Sequence, residues 1–113
     1  MKRRVVATDG FDRTVAAQIE HLIAEERPSW VHLLLEDIGK AHSLLAEFPA
    51  SGQLVERRPG AEIRRVQLRQ TPFRVWYRID VQDETAPVVL VRLFHVRQRA
   101  EMTYAVGIVR TST

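Results

Sequence analysis

The chain contains no cysteine. That excludes a disulfide framework, a zinc–thiolate site and a thiol nucleophile. No apolar run approaches the roughly 18 residues a membrane span needs. The N-terminus, MKRRVVATDG, carries basic residues with no long apolar stretch after them, so it does not read as a secretory signal. The expected location is the cytoplasm, with no membrane partner. The five glycines are scattered and form no phosphate-binding loop. There is no repeat, linker or low-complexity segment, and 113 residues suit one domain running from 1 to 113. Lysine is scarce: fifteen of the seventeen basic residues are arginine. Arginine keeps its charge and forks onto phosphate or carboxylate, so the bias favours recognition of planar anions over catalysis by a titrating lysine.

What is present is unevenly placed. From Arg57 onward there are 11 arginines against 5 acidic residues, while Met1 to Glu56 holds 6 basic against 9 acidic residues. The net charge of +3 therefore hides a basic second half. That half also carries the strand-like sequence. A small sheet with so many guanidinium groups is expected to meet an anion, either nucleic acid or an acidic protein.

Hydrophobic spacing predicts the elements. Arg3 to Thr8 reads as a short strand. Asp9 then offers an N-cap, with Asp12 in the first helical turn. Phe11, Val15, Ile19, Leu22 and Ile23 make one face of a helix that ends before Pro28. Ser29 caps a second helix whose stripe is Leu34, Ile38, Ala41, Leu45 and Phe48, widened by Leu33 and Leu44. The short connection predicts an antiparallel helical hairpin. PASGQLVERRPG reads as a polar loop. Strands follow at Ile63–Arg69, Phe73–Val81 and Val88–Val96, and a short helical turn is expected around Glu101 to Ala105. The middle strand alternates, with Phe73, Val75, Tyr77, Ile79 and Val81 on one face and Arg74, Trp76, Arg78 and Asp80 on the other. The expected class is α+β: an N-terminal strand and a helical hairpin packed on a mostly antiparallel four-stranded sheet, in the order β-α-α-β-β-β. The face with Arg74, Trp76 and Arg78 is expected to stay open.

The residues FPASG at Phe48–Gly52, LRQTPFRVWYRID at Leu68–Asp80 and VVLVRLFHVRQR at Val88–Arg99, in this order of elements, resemble the RelE/ParE superfamily of bacterial toxins. These are the toxin halves of type II toxin–antitoxin modules, known also from plasmid stabilisation. The resemblance covers the chain from Val5 to about Tyr104. It implies a toxin whose growth inhibition is neutralised by a cognate antitoxin, with no cofactor and no metal. Fold does not settle the target, because the superfamily holds two unrelated activities. ParE-like members inhibit DNA gyrase. RelE-like members are endonucleases that cut mRNA in the ribosome.

The RelE-like alternative implies Arg74, Arg97 and Tyr104 as catalytic residues. The two arginines would stabilise charge on the transferred phosphate, and Tyr104 would act as base or stacking platform. Gln67 stands where such a nuclease would hold a lysine, and glutamine is neither acid nor base. The ParE-like reading needs no catalytic group and is preferred. Arg65, Arg69, Arg78 and Arg99 are then candidates for contact with the target or with nucleic acid. Trp76, Arg74 and Arg78 are the expected antitoxin interface, since an exposed indole between two arginines suits a protein contact. A non-toxic RNA- or protein-binding module on the same fold is the third reading. His95 reads as a half-buried strand-end histidine, and His21, His32 and His42 as helix-surface residues.

Overall fold

A computed structural model describes residues 2–97. Its elements are β1 (Val5–Ala7), α1 (Asp9–Ala24), α2 (Pro28–Glu47), a 3-10 turn at Pro49–Ser51, β2 (Gln53–Arg58), β3 (Ala61–Gln67), β4 (Phe73–Asp80) and β5 (Val88–His95). The strands form one sheet in the order β1-β5-β4-β3-β2. β1 runs parallel to β5, and every other pairing is antiparallel. The α+β class stands as expected, but the sheet has five strands. The extra one, β2, lies in the segment read as a polar loop. Its burial alternates between exposed and half-buried, and it sits at the sheet edge, so no apolar period marks it. Pro59 and Gly60 close the β2–β3 hairpin, and the positive φ of Gly60 (77°) is what the tight turn requires.

Local chemistry sets the helix ends. Thr8, not Asp9, is the N-cap of α1; its hydroxyl accepts from the Phe11 N–H at 3.0 Å. Asp9 and Asp12 lie in the first turn, where the helix dipole favours them. Pro28, which stops α1, is also the first residue of α2, where its missing N–H costs nothing; Ser29 is therefore already inside the helix.

The core lies between the helices and one face of the sheet. Phe11 and Leu22 from α1 and Leu34, Ala41 and Leu45 from α2 meet Phe73, Val75, Tyr77 and Ile79 of β4 and Val88, Leu90 and Leu93 of β5. Three residues assigned to the apolar stripes are exposed. Ile23 and Phe48 are 59% and 60% exposed at the far ends of their helices, and Val81 lies past the end of β4. Among the described residues no helix is long and apolar enough to cross a membrane.

One carboxylate is built into the core. Asp37 interrupts the α2 stripe and is 2% exposed. It accepts the N–H groups of Gln70 (2.9 Å) and Thr71 (2.8 Å) and the Thr71 hydroxyl (2.7 Å). The turn between β3 and β4 is thereby fastened to α2. A second buried polar join uses Tyr77. Its hydroxyl donates to the Pro49 carbonyl at 2.7 Å and accepts from the Gly52 N–H at 2.9 Å, fixing the path from α2 into β2. Burial pushes the pKa of Tyr77 above its usual value, so the hydroxyl keeps its proton for that donation.

Candidate functional site: the sheet face away from the helices

The pairing register decides which side chains share this face. Arg65 stands opposite Trp76, Gln67 opposite Arg74 and Ile63 opposite Arg78; on the other side of β4, Arg74 faces Phe94 and Trp76 faces Arg92. Arg65, Arg74 and Arg78 therefore lie on one surface, as the alternation in the sequence indicates. The β4–β5 register slips between Trp76 and Tyr77, leaving Val91 as an extra residue. Such a bulge bends and twists the strand locally.

The face is not the open one expected. Trp76 is only 3% exposed. It packs edge-on against Phe94, with ring centroids 6.0 Å apart, and with Ile63 forms a second small apolar cluster. The guanidinium carbon of Arg65 lies 5.9 Å from the centre of the Trp76 ring, within cation–π range. The expectation of an exposed indole is corrected: Trp76 is the floor of this surface. The physical reason is that three neighbouring strands each place a large apolar group on this face, diagonally beside the next. Period-two reading of β4 alone does not show what β3 and β5 put beside it.

The arginines differ in what they do. Arg65 donates through Nε and Nη2 to Gln53 Oε1, both at 3.2 Å. Arg74 donates through Nε to Gln67 Oε1 at 3.2 Å, so Gln67 positions a guanidinium where the nuclease pattern has a lysine. Arg78 is exposed and meets no hydrogen-bond or ion-pair partner among the described residues. Arg64, its neighbour in sequence to Arg65, points to the helix side. It pairs with Glu62 at 2.9 Å and donates to the carbonyls of Gly52 (2.7 Å) and Ala50 (3.2 Å).

Two arginines leave this face. Arg69 sits beyond the end of β3 and lines a groove with Lys40, Ala41, Leu44, Val66 and Leu68. Arg97 lines a cleft against α1 with Ala17, Gln18, His21 and His95, on the helix side of the sheet. Arg74 and Arg97 thus do not converge on one point. Arg99, Tyr104 and the helical turn expected near Glu101 lie outside the described residues. Among the described residues no group of three or more His, Asp or Glu side chains gathers where it could hold a metal ion. Sequence reasoning passed over Asp37, Gln53, Arg64 and the Tyr77 join. Only Asp37 carried a signal, as a carboxylate in the middle of an apolar stripe.

The architecture is a helical hairpin packed on a five-stranded sheet with an arginine-bearing outer face. A chain of the chromosomal ParDE toxin–antitoxin system from P. aeruginosa shares the fold, with a TM-score of 0.64 at 16% identity over 85% of this chain and 98% of that one. The sequence model for the ParE toxin of the type II toxin–antitoxin system parDE matches residues 5–100. The chain belongs to that ParE toxin family. Among curated proteins none matches the sequence.

Proposed function

We propose that this ParE-type toxin works in the cytoplasm by binding DNA gyrase and blocking its supercoiling. A cognate antitoxin neutralises it by lying across Arg74 and Arg78, over the floor formed by Trp76. Family membership supports the reading, and one geometric observation carries the choice of mechanism: Arg74 and Arg97 are directed to opposite sides of the sheet. Cleavage of a phosphodiester needs its cations positioned around a single phosphorus, where charge develops in the transition state. Inhibition by surface contact asks only for a complementary charged face, which steers the encounter and fixes register. The arrangement around Arg74, Arg78 and Trp76 meets the second requirement.

The test is direct. Purified protein added to DNA gyrase should inhibit supercoiling of relaxed plasmid, and a cognate antitoxin should restore it. Arg78→Ala should weaken the interaction with the antitoxin without unfolding the chain, since Arg78 is exposed. Unchanged supercoiling at a large molar excess of toxin would overturn the gyrase reading.

A further inference from the structure

One pole of the molecule gathers the approach to β1, the end of α2 and the turn between β4 and β5. A concavity of about 540 Å³ opens there. It is lined by Lys2, Arg3 and Arg4 ahead of β1, by Pro49 after α2, and by Glu84 and Thr85 of the β4–β5 turn. Backbone bonds hold these walls together. The Arg3 N–H donates to the Ala46 carbonyl, and the Val88 N–H donates to the Arg4 carbonyl, both at 2.8 Å. Next to Pro49 stands Phe48, the C-cap of α2, which is 60% exposed. An aromatic knob thus sits beside a hole on the same surface.

Most charged groups at this pole are already engaged. Lys2 pairs with Glu47 at 3.3 Å, and Nη1 of Arg3 donates to the Asp80 carbonyl at 3.2 Å. Oδ1 of Asp83 accepts the N–H and the hydroxyl of Thr85, at 2.9 and 2.6 Å. Oδ1 of Asp80 accepts the N–H groups of Gln82 and Asp83. Arg4 and Glu84 are different. Both are exposed on the rim of the concavity, and neither side chain meets a hydrogen-bond or ion-pair partner among the described residues. One cation and one anion are left over, and they do not pair with each other.

We propose that this pole is where two copies of the chain dimerise: Phe48 of each enters the concavity of the other, and Arg4 of each pairs with Glu84 of the partner subunit. A two-fold interface sets one patch against itself, so that residue i meets j and j meets i. A knob beside a hole, and an unpaired cation beside an unpaired anion, fit that operation. A wholly acidic or wholly basic partner would satisfy one of the two charges and repel the other. An aromatic ring enclosed at the centre of the contact is the usual anchor of such a surface. The patch is small, so the dimer is weak and depends on concentration. The proposal does not rest on the gyrase reading. It leaves the start of the arginine-bearing face uncovered, because Arg74 stands about 20 Å along β4 from Asp80 at the usual strand rise.

Sedimentation equilibrium of the full chain, from about 1 μM to about 1 mM, should show monomer and dimer with no larger species. Arg4→Glu and Glu84→Arg each set like charges against one another at both ends of the interface, and each should weaken the dimer about tenfold or more. The two combined exchange the signs and rebuild both pairs, so the double variant should return to within about threefold of wild type. Phe48→Ala should weaken the dimer about tenfold. All three positions are exposed, so circular dichroism should show every variant folded like wild type. A monomer across the whole range rejects a second copy and leaves the concavity to some other molecule. A dimer that ignores Phe48→Ala or the single reversals, or that the double variant does not restore, is built on another surface and equally overturns the proposal.

Discussion

Replacing Asp37 with asparagine should be among the more damaging single substitutions of a polar residue in this chain. The carboxylate accepts two backbone N–H groups and one hydroxyl in a place water does not reach; Asp37 is 2% and Thr71 4% exposed. Hydrogen bonds to a charged group contribute about 1.5–3 kcal/mol each, and a buried donor left without a partner costs about 1–3 kcal/mol. Asparagine has the same shape but one acceptor oxygen in place of two, and its NH₂, in the place of Oδ1, would face the Gln70 N–H. It keeps part of the network and loses the charge. The three bonds share one acceptor group and are not additive, so a loss of about 2–4 kcal/mol is expected. That is a large part of the stability of about 5–15 kcal/mol typical of a small protein. Urea unfolding followed by circular dichroism measures it as a lower midpoint with little change in slope. Thr71→Val and the double variant complete a cycle, in which the two losses should fall short of additivity by about 1 kcal/mol or more. A loss below about 0.5 kcal/mol for Asp37→Asn would match an ordinary surface substitution, and would refute the claim that this carboxylate fastens the β3–β4 turn.

Tyr77→Phe removes a hydroxyl that bridges Pro49 and Gly52 and leaves volume unchanged, so a loss of about 1–3 kcal/mol is expected, with faster amide exchange at Gly52 as the local readout. Two glycines should respond in opposite directions to alanine. Gly39 lies within α2 with nothing within 4 Å of an added Cβ, so Gly39→Ala should raise stability by about 0.5–1 kcal/mol, whereas at Gly52 a Cβ would meet the Arg65 carbonyl and the Tyr77 hydroxyl at 2.6 Å and should lower it by about 1–3 kcal/mol, both read by thermal melting. The lowered basicity of His95 makes a pH prediction. The unfolded chain takes up this proton near pH 6.5 and the folded chain only below it, so the contribution is fully present above that value and is lost as pH falls through the folded midpoint. The difference between wild type and His95→Gln, followed by chemical denaturation across that range, should shrink toward acid and stay flat above neutrality.

The sequence disclosed the helices and the three C-terminal strands because their apolar residues recur at the periods those elements impose. Phe73, Val75 and Tyr77 point at the helices as the alternation requires. β2 was hidden because an edge strand needs no apolar face; only the Arg58-Pro59-Gly60-Ala61 turn signalled a hairpin there. The helix ends depended on single hydrogen bonds, such as Thr8 to Phe11, which composition does not reveal. The fate of Trp76 was illegible for a different reason. Its burial comes from Ile63 and Phe94 on separate strands, and cross-strand neighbours exist only once the register is known. The same holds for Arg97, whose spacing from Arg74 says nothing about the side of the sheet on which each emerges.

The parallel pairing of Val5 with Val88 joins positions 83 residues apart. A ribosome therefore emits β1 long before the strand it pairs with has been made. Until then the apolar face of α1 lacks the strand it packs against, and a nascent copy is exposed to chaperones and to self-association. A truncated translation product that stops before residue 88 cannot close the sheet along this edge. Premature termination should therefore yield material that is degraded before it can adopt this fold.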